Sequence, residues 1–542
     1  MRAGSWPRSV LGPTRRRVLP IALAGGLLAG LSACGGGGEA AAAGSASDGP
    51  WFGIPLPPGL QADSMQVSAG PRDPAPAIVP AGEEGFHELE GPAIRADLEM
   101  IVAFSRRSRR TGEIGDGDLW GRISGFDSER ETVAWAADRL RDAGIPRVEV
   151  QTVRQGDQAF DLPVTWEIRL LADPAFGPGT EDVVLESAMP LSAIPVEDLT
   201  APLVFVGTAT PAEIGRLDLR GKVAVQDIVP QGHTVFSRNP AGPRAEALLA
   251  RKASAVLNVV HLPGNMRVRD MGCGGGPCFN LGGRDGRFLE AVLDSAAAAG
   301  TPDAVRVSLR ETMERHTGLT AVNAVGVVPG RSDEAVVINA HADAWFEGAG
   351  DNGDGLAVLL ALARHFGARS APPARTLVFM VSAGHHSRGI NGPRGFIADN
   401  PDLANRAVLV VNLEHTASRE LVLERRTWDD GYRRWVTGSY EAPIVAGITN
   451  GSAFLEGLVR EGVRRYGTNF VSAPNPMASG EGGGYRALGV PIFTAMQGSP
   501  LYHTTGELLE VVSEPGLERM ARFMVFFVDQ VAAGPREGID TN

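Results

Sequence analysis

The sequence predicts an α/β protein: a mostly parallel mixed sheet flanked by helices, with a small second α/β domain inserted at about 195–318. Three observations point there. Predominantly apolar runs at Val336–Ile338, Thr376–Ser382, Ala407–Leu413 and Pro491–Met496 read as buried strands separated by helical patterns, an alternation that builds parallel sheets. Each run leads into side chains able to bind a metal: His341-Ala342-Asp343, His385-His386, Glu414-His415 and Tyr502-His503-Thr504. From about Ala201 the texture changes to short β segments with helices of their own.

At 542 residues, 43% hydrophobic and 21% charged, the chain has a globular composition and room for two or more domains. Residues 1–33 resemble an export signal: Arg15-Arg16-Arg17 is similar to a twin-arginine motif, and the apolar stretch Leu19–Leu31 is too short to span a bilayer. Leu31-Ser32-Ala33-Cys34 matches the bacterial lipobox, which implies cleavage before Cys34 and lipid attachment there; a simple secretory peptide cut nearby is the alternative. The expected location is the bacterial cell envelope, exported and membrane-anchored, facing the periplasm or exterior. Cleavage would remove five arginines and no acid, taking the formal net charge from −12 to −17. With no basic stripe carrying interleaved aromatics, this argues against a nucleic-acid partner.

Residues 34–90, rich in Ala, Gly and Pro, read as a flexible tether. A first segment of the main domain (91–194) opens with Ile94, Leu98, Ile101, Val102 and Phe104 at helical spacing. A second helix starts at Ser128, with Glu131 completing a capping box, and stops at Gly144-Ile145-Pro146; Arg147–Val153 and Thr165–Leu170 follow as strands. In the insert, Cys273 and Cys278 flank a glycine-rich loop that an oxidising compartment would permit to close as a disulfide. Val305–Leu309 is expected to return the chain to the main domain, whose second part runs from 319 to 535. The insert's histidines, His233, His261 and His316, are not read as strand-end residues with acidic neighbours, so it is expected to shape substrate access without binding metal.

The stretch from Val336 to Phe366 is the centre of the chain. A strand delivers His341 and Asp343, and a glycine-rich turn presents Asp351-Asn352 ahead of a helix starting near Leu356. Nitrogen and oxygen ligands at strand ends suit a divalent metal, although Asp351–Gly355 taken alone is equally an ordinary turn with a helix N-cap. Convergence of four strand ends favours the metal reading, because ligands in such sheets gather beyond the carboxyl ends of the strands.

From Pro92 onward this pattern resembles the co-catalytic zinc aminopeptidase family that includes bacterial leucine aminopeptidases, glutamate carboxypeptidase and glutaminyl cyclase. Its members show H-x-D, G-A-x-D-N, a Glu-Glu pair after a strand, N-L-D and Y-H-T. The segments LRGKVAVQDI, AEALLARKASAVLNVV and GRDGRFLEAVL resemble the protease-associated domain inserted in many exopeptidases. The resemblance implies one or two Zn2+ ions held by His341, Asp351 as the bridge, His386, Glu414 and His503, with Asp343 orienting the first histidine and a peptide as substrate. His385-His386 stands where the family has its acidic pair, so His386 falls to the ligand and His385 to the proton acceptor. His415 is a spare ligand; Glu481, in a glycine-rich loop, either receives a free α-amino group or sits in a solvated turn. Two functions follow: an exported zinc exopeptidase, an aminopeptidase hydrolysing through a metal-activated water, or a non-catalytic binding lipoprotein with a degenerate site.

Overall fold

The computed structural model describes residues 73–540 apart from 116, 174–179, 230–240, 263, 270–272, 274, 426–432 and 475–477. The expected signal peptide, Cys34, His233 and the first part of the tether lie outside the described residues.

Helices α1 (Gly91–Thr111) and α2 (Asp127–Asp142) lead into an eight-stranded sheet. Its strands are β1 (Arg147–Arg154), β2 (Thr320–Val328), β3 (Ser332–His341), β4 (Arg375–Ser382), β5 (Ala407–Glu414), β6 (Ile444–Ile448), β7 (Phe470–Pro474) and β8 (Ile492–Gln497). Their spatial order is β7-β6-β8-β5-β3-β4-β2-β1. The four central strands β8, β5, β3 and β4 are mutually parallel, as β6 is with β7, while β6–β8, β4–β2 and β2–β1 are antiparallel. Register places the ends of the parallel strands along one edge: His341 lies opposite Ser382, and Glu414 opposite Met496.

The apolar runs are continuous because both faces of these strands are covered. Successive residues alternate between two cores. Val336, Ile338 and Ala340 pack with helices α1 and α2, α3 (Gly355–Gly367) and α4 (Glu514–Ala533), whereas Val337 joins Val378, Met380 and Val410 on the other face. Leu359 on α3 is fully buried in the first core, and truncating such a residue to alanine costs about 2–5 kcal/mol. That core holds the glycine-rich turn ahead of α3 against β3 and β5.

The second sheet also has eight strands. Val196–Phe205, Val223–Ile228, Ala255–Val260 and Cys278–Leu281 run parallel to one another; Arg306–His316 and Phe160–Leu170 extend one side antiparallel. The sheet therefore begins at Phe160 rather than near 195. Val305–Leu309, expected to re-enter the main domain, instead leads into the strand Arg306–His316, which pairs with Phe160–Leu170 from Val307 to His316, and re-entry comes at Thr320. Cys273 and Cys278 are disulfide-bonded.

Three further expectations change. Helix α2 carries no capping box: its N-cap is Phe126, the Ser128 hydroxyl donates to the Gly121 carbonyl, and Glu131 pairs with Arg107. The end of the tether is fixed, since Arg522 donates to the Glu83 carbonyl, Tyr466 to its carboxylate, and Leu89 is fully buried. His261 stands just beyond the strand Ala255–Val260, and its Nε2 is 3.1 Å from Asp227 Oδ1. It does have an acidic neighbour, which parallel pairing of Ile228 with Val260 brings close from a distant part of the sequence. Among the described residues no helix is long and apolar enough to cross a membrane.

Candidate metal centre

Asp351 occupies the middle of the site, 1% exposed, in the turn between β3 and α3 and next to a cis peptide bond to Asn352. It is not a helix cap. Its Oδ1 lies 2.9 Å from His415 Nε2 and 3.3 Å from His341 Nε2; its Oδ2 lies 3.0 Å from His386 Nε2 and 2.9 Å from His503 Nε2. One carboxylate thus faces two pairs of imidazoles. All seven residues expected from the sequence, His341, Asp343, Asp351, His385, His386, Glu414 and His503, converge here. Three sets of donor atoms result: His341, His385 and Glu414 on one side, Asp351, His386 and His503 on the other, and His341, Asp343 and His386, which shares a histidine with each.

Each side chain is held by a neighbour. Asn352 donates from Nδ2 to the Leu413 carbonyl and accepts the His415 N–H, tying the turn to the end of β5. A buried hydrogen-bond chain runs from the Tyr485 hydroxyl to Asn339, on to Asn412, and ends with Asn412 Nδ2 donating to Glu414 Oε2 at 2.7 Å. Gly480 adopts φ +54° and lies so near Glu414 that an added Cβ would overlap the carboxylate. Asp343 meets His341 through both backbone and side chain, its Oδ1 lying 3.4 Å from His341 Nδ1. His341 Nδ1 bonds to the Asp343 backbone carbonyl at 3.0 Å, while the Asp343 carboxylate accepts the backbone N–H groups of His385 (3.3 Å) and His386 (2.7 Å). It fixes the turn that carries both histidines.

Glu481 does not sit in a solvated turn. It is 5% exposed, and its Oε2 is 3.0 Å from His385 Nδ1. Arg122 gave no signal in the sequence. Wholly buried, it donates to the carbonyls of Ala342, Glu347 and Gly348 and to the Ser105 hydroxyl, bracing the loop after β3; burial pushes its guanidinium down to about 10. Such a role becomes visible only when the loop's orphan carbonyls are placed. Asp354, also unforeseen, accepts the backbone N–H groups of Thr416 and Ala417 beyond β5.

Protonation follows from this crowding. Burial disfavours charge on Asp351, yet the positive charge of His386 and His415 holds it well below its ordinary value. Burial also works against the charged forms of His386 and His415, but Asp351 outweighs it and raises both to about 9. Glu414 is brought to about 2 against the effect of burial, chiefly by its hydrogen bond with His341. Burial dominates at His503, lowering it to about 3, and His386 Nε2 stands 2.8 Å from His503 Nε2 and 3.0 Å from Asp351 Oδ2. Anionic oxygens paired with imidazole nitrogens, and His341 Nε2 buried without a hydrogen-bond partner, make a donor set that fits one or two divalent ions.

Above the donors lies a cleft of about 330 Å³ lined by His385, His386, His503, Trp345, Tyr502, Leu191 and Arg269. The last two come from the second-sheet side of the molecule. Arg269 places its guanidinium 4.8 Å over the Trp345 ring, and its backbone N–H donates to the His503 carbonyl.

A histidine- and carboxylate-rich centre thus stands at the carboxyl edge of a mixed α/β sheet and opens into a cleft, an arrangement suited to a metal centre. Residues 323–528 match the family model for Peptidase family M28. Similar solved structures include "Aminopeptidase from Aneurinibacillus sp. strain AM-1" (18% identity, TM-score 0.51, covering 82% of this chain and 94% of that one). BSAP, a zinc aminopeptidase from Bacillus subtilis, is 16% identical with TM-score 0.53 over 82% and 97% of the two chains. A Peptidase M28 precursor from Shewanella amazonensis SB2B is 17% identical with TM-score 0.56 over 82% and 98%. These likenesses establish the fold. No curated protein matches the sequence.

Proposed function

We propose that the chain is a zinc-dependent exopeptidase, an aminopeptidase removing N-terminal residues from peptides. The observation that carries this reading is Asp351, whose two oxygens each face imidazoles from different loops. His341, Asp351 Oδ1 and Glu414 would hold one ion, and Asp351 Oδ2, His386 and His503 the other. Bound there, zinc supplies Lewis-acid activation of water and of the scissile carbonyl. His385 donates its Nδ1 proton to Glu481, which leaves Nε2 as the acceptor facing the donor set, and this pair takes the proton from the attacking water. Trp345 and Tyr502 wall the cleft and restrict solvent. The family domain and the zinc aminopeptidase among the similar folds support the assignment.

The lipobox at Cys34 supports an exported, membrane-anchored enzyme, and the motif order between 195 and 318 supports a protease-associated insert. Replacement of the acidic pair by His385-His386 favours the alternative of a binding lipoprotein. Zinc content and hydrolysis of a panel of aminoacyl p-nitroanilides, with and without a chelator, decide between them. Chelator-sensitive turnover supports the peptidase; full zinc occupancy with no hydrolysis of any substrate supports the binding protein.

A further inference from the structure

Far from the centre just described in sequence, the second sheet assembles another donor set. Asp227 lies near the end of the strand Val223–Ile228, His261 follows the strand Ala255–Val260, and Glu290 projects from the helix Gly283–Ala298. These strands are parallel, so the three side chains meet beyond their carboxyl ends, where open α/β sheets present ligand sites. The helix is brought close at Gly286, where an added side chain would run into Val259; Glu290, one turn later on the same helical face, is thereby carried to His261.

The geometry points to a second site for a divalent transition metal, formed by Asp227, His261 and Glu290 and distinct from the peptidase centre. His261 Nε2 is 3.1 Å from Asp227 Oδ1 and 3.5 Å from Glu290 Oε1, and one donor atom from each of the three residues lies within 4.8 Å of the other two. Ligands bound tetrahedrally at zinc lengths of about 2.0–2.2 Å are roughly 3.3–3.6 Å apart, so small side-chain rotations suffice to bind an ion. A second observation is independent of these spacings. Glu290 Oε1 is enclosed by protein and has no hydrogen-bond partner, an arrangement a bound cation would satisfy. Side-chain exposures of 27%, 21% and 23% leave an entry path and room for water as a fourth ligand. One imidazole with two carboxylates selects zinc or manganese over calcium, which prefers six or more oxygens.

The site sits at the root of a structural arm. Beyond His261 the chain leads to Leu262, Met266 and Val268, which pack with Leu501 and Val511 of the main domain, and Val268 forms a β-bridge with Thr504 beside His503. An ion at His261 would fasten the segment that braces the catalytic loop.

The test uses the full chain, depleted of metal, reloaded with zinc, and assayed for zinc atoms per chain. His261→Ala and Glu290→Gln should each bind one equivalent fewer than wild type, while the double variant His386→Ala/His503→Ala should keep that equivalent. Anomalous diffraction at the zinc edge should place a peak among Asp227, His261 and Glu290, a readout that survives even if His261→Ala fails to fold. Unchanged stoichiometry in folded Glu290→Gln, or no peak there in zinc-loaded crystals, overturns the proposal. Equal affinity for calcium overturns the choice of metal class.

Discussion

Zinc uptake should weaken steeply as the pH falls from 9 to 7. In the metal-free protein His386 is raised to about 9, and its Nε2, between Asp351 and His503, is the nitrogen that would meet the ion. The sign is set by competition. Below a raised pKa the imidazole stays protonated, metal must displace that proton, and affinity climbs with pH until it levels off above 9. At pH 7, two units below the pKa, roughly 1% of His386 is free to bind, so affinity should fall about 100-fold, or about 2.7 kcal/mol, for each such proton displaced. His415, raised to the same value, doubles the effect if it too must deprotonate. The metal-free fold should show the reverse trend. A pKa raised from 6.5 to about 9 contributes stability that is complete below pH 6.5 and lost as pH rises through 9. Competition against a chelator of known proton affinity between pH 6.5 and 9.5, with calorimetry in buffers of different ionisation enthalpy, would give both affinity and proton count. Affinity constant across that range, or an unchanged slope in His386→Ala, refutes the reasoning.

His385→Ala should cut turnover about 10²-fold or more with zinc retained, as expected for removing a general base, whereas His386→Ala should lower zinc occupancy itself; elemental analysis beside kinetics separates them, and equal zinc loss in both would unseat His385 as the base. Arg122→Leu should destabilise by about 3 kcal/mol or more, because the carbonyls of Ala342, Glu347 and Gly348 lose their donor in a buried place. A chemical-denaturation midpoint within error of wild type would count against that brace. Cys34→Ser should move the protein from the membrane to the soluble fraction, and persistent membrane association would locate the anchor elsewhere.

The sequence was most informative where local pattern and chemistry coincide. His341, His385, His386 and Glu414 are legible because parallel strands buried on both faces write continuous apolar runs, and each run stops near side chains able to bind a metal. Asp351 was readable through the glycines around it. For Glu481 the glycine-rich loop leaves a solvated turn open as a reading, and only the fold turns it inward to His385. Arg122 and Arg269 left no trace, since a charged residue becomes structural through partners remote in sequence. The start of the second sheet was missed for a similar reason: Phe160–Leu170 is an unremarkable strand until its pairing with Arg306–His316 is known. Asp227, His261 and Glu290 went unconnected because the register of parallel strands, not spacing along the chain, unites them.

The antiparallel pairing around Val268 and Thr504, continued by the Arg269 N–H bond to His503, bears on how such a chain can be re-engineered. An insert joined only through its two ends could be exchanged among relatives as a cassette, its donor's specificity travelling with it. Here the graft would also remove a wall of the cleft and the backbone partner of His503. Recombination should therefore succeed only when the 267–269 segment and the 502–505 loop are transplanted together, making that pair of loops, and not the insert, the smallest exchangeable unit.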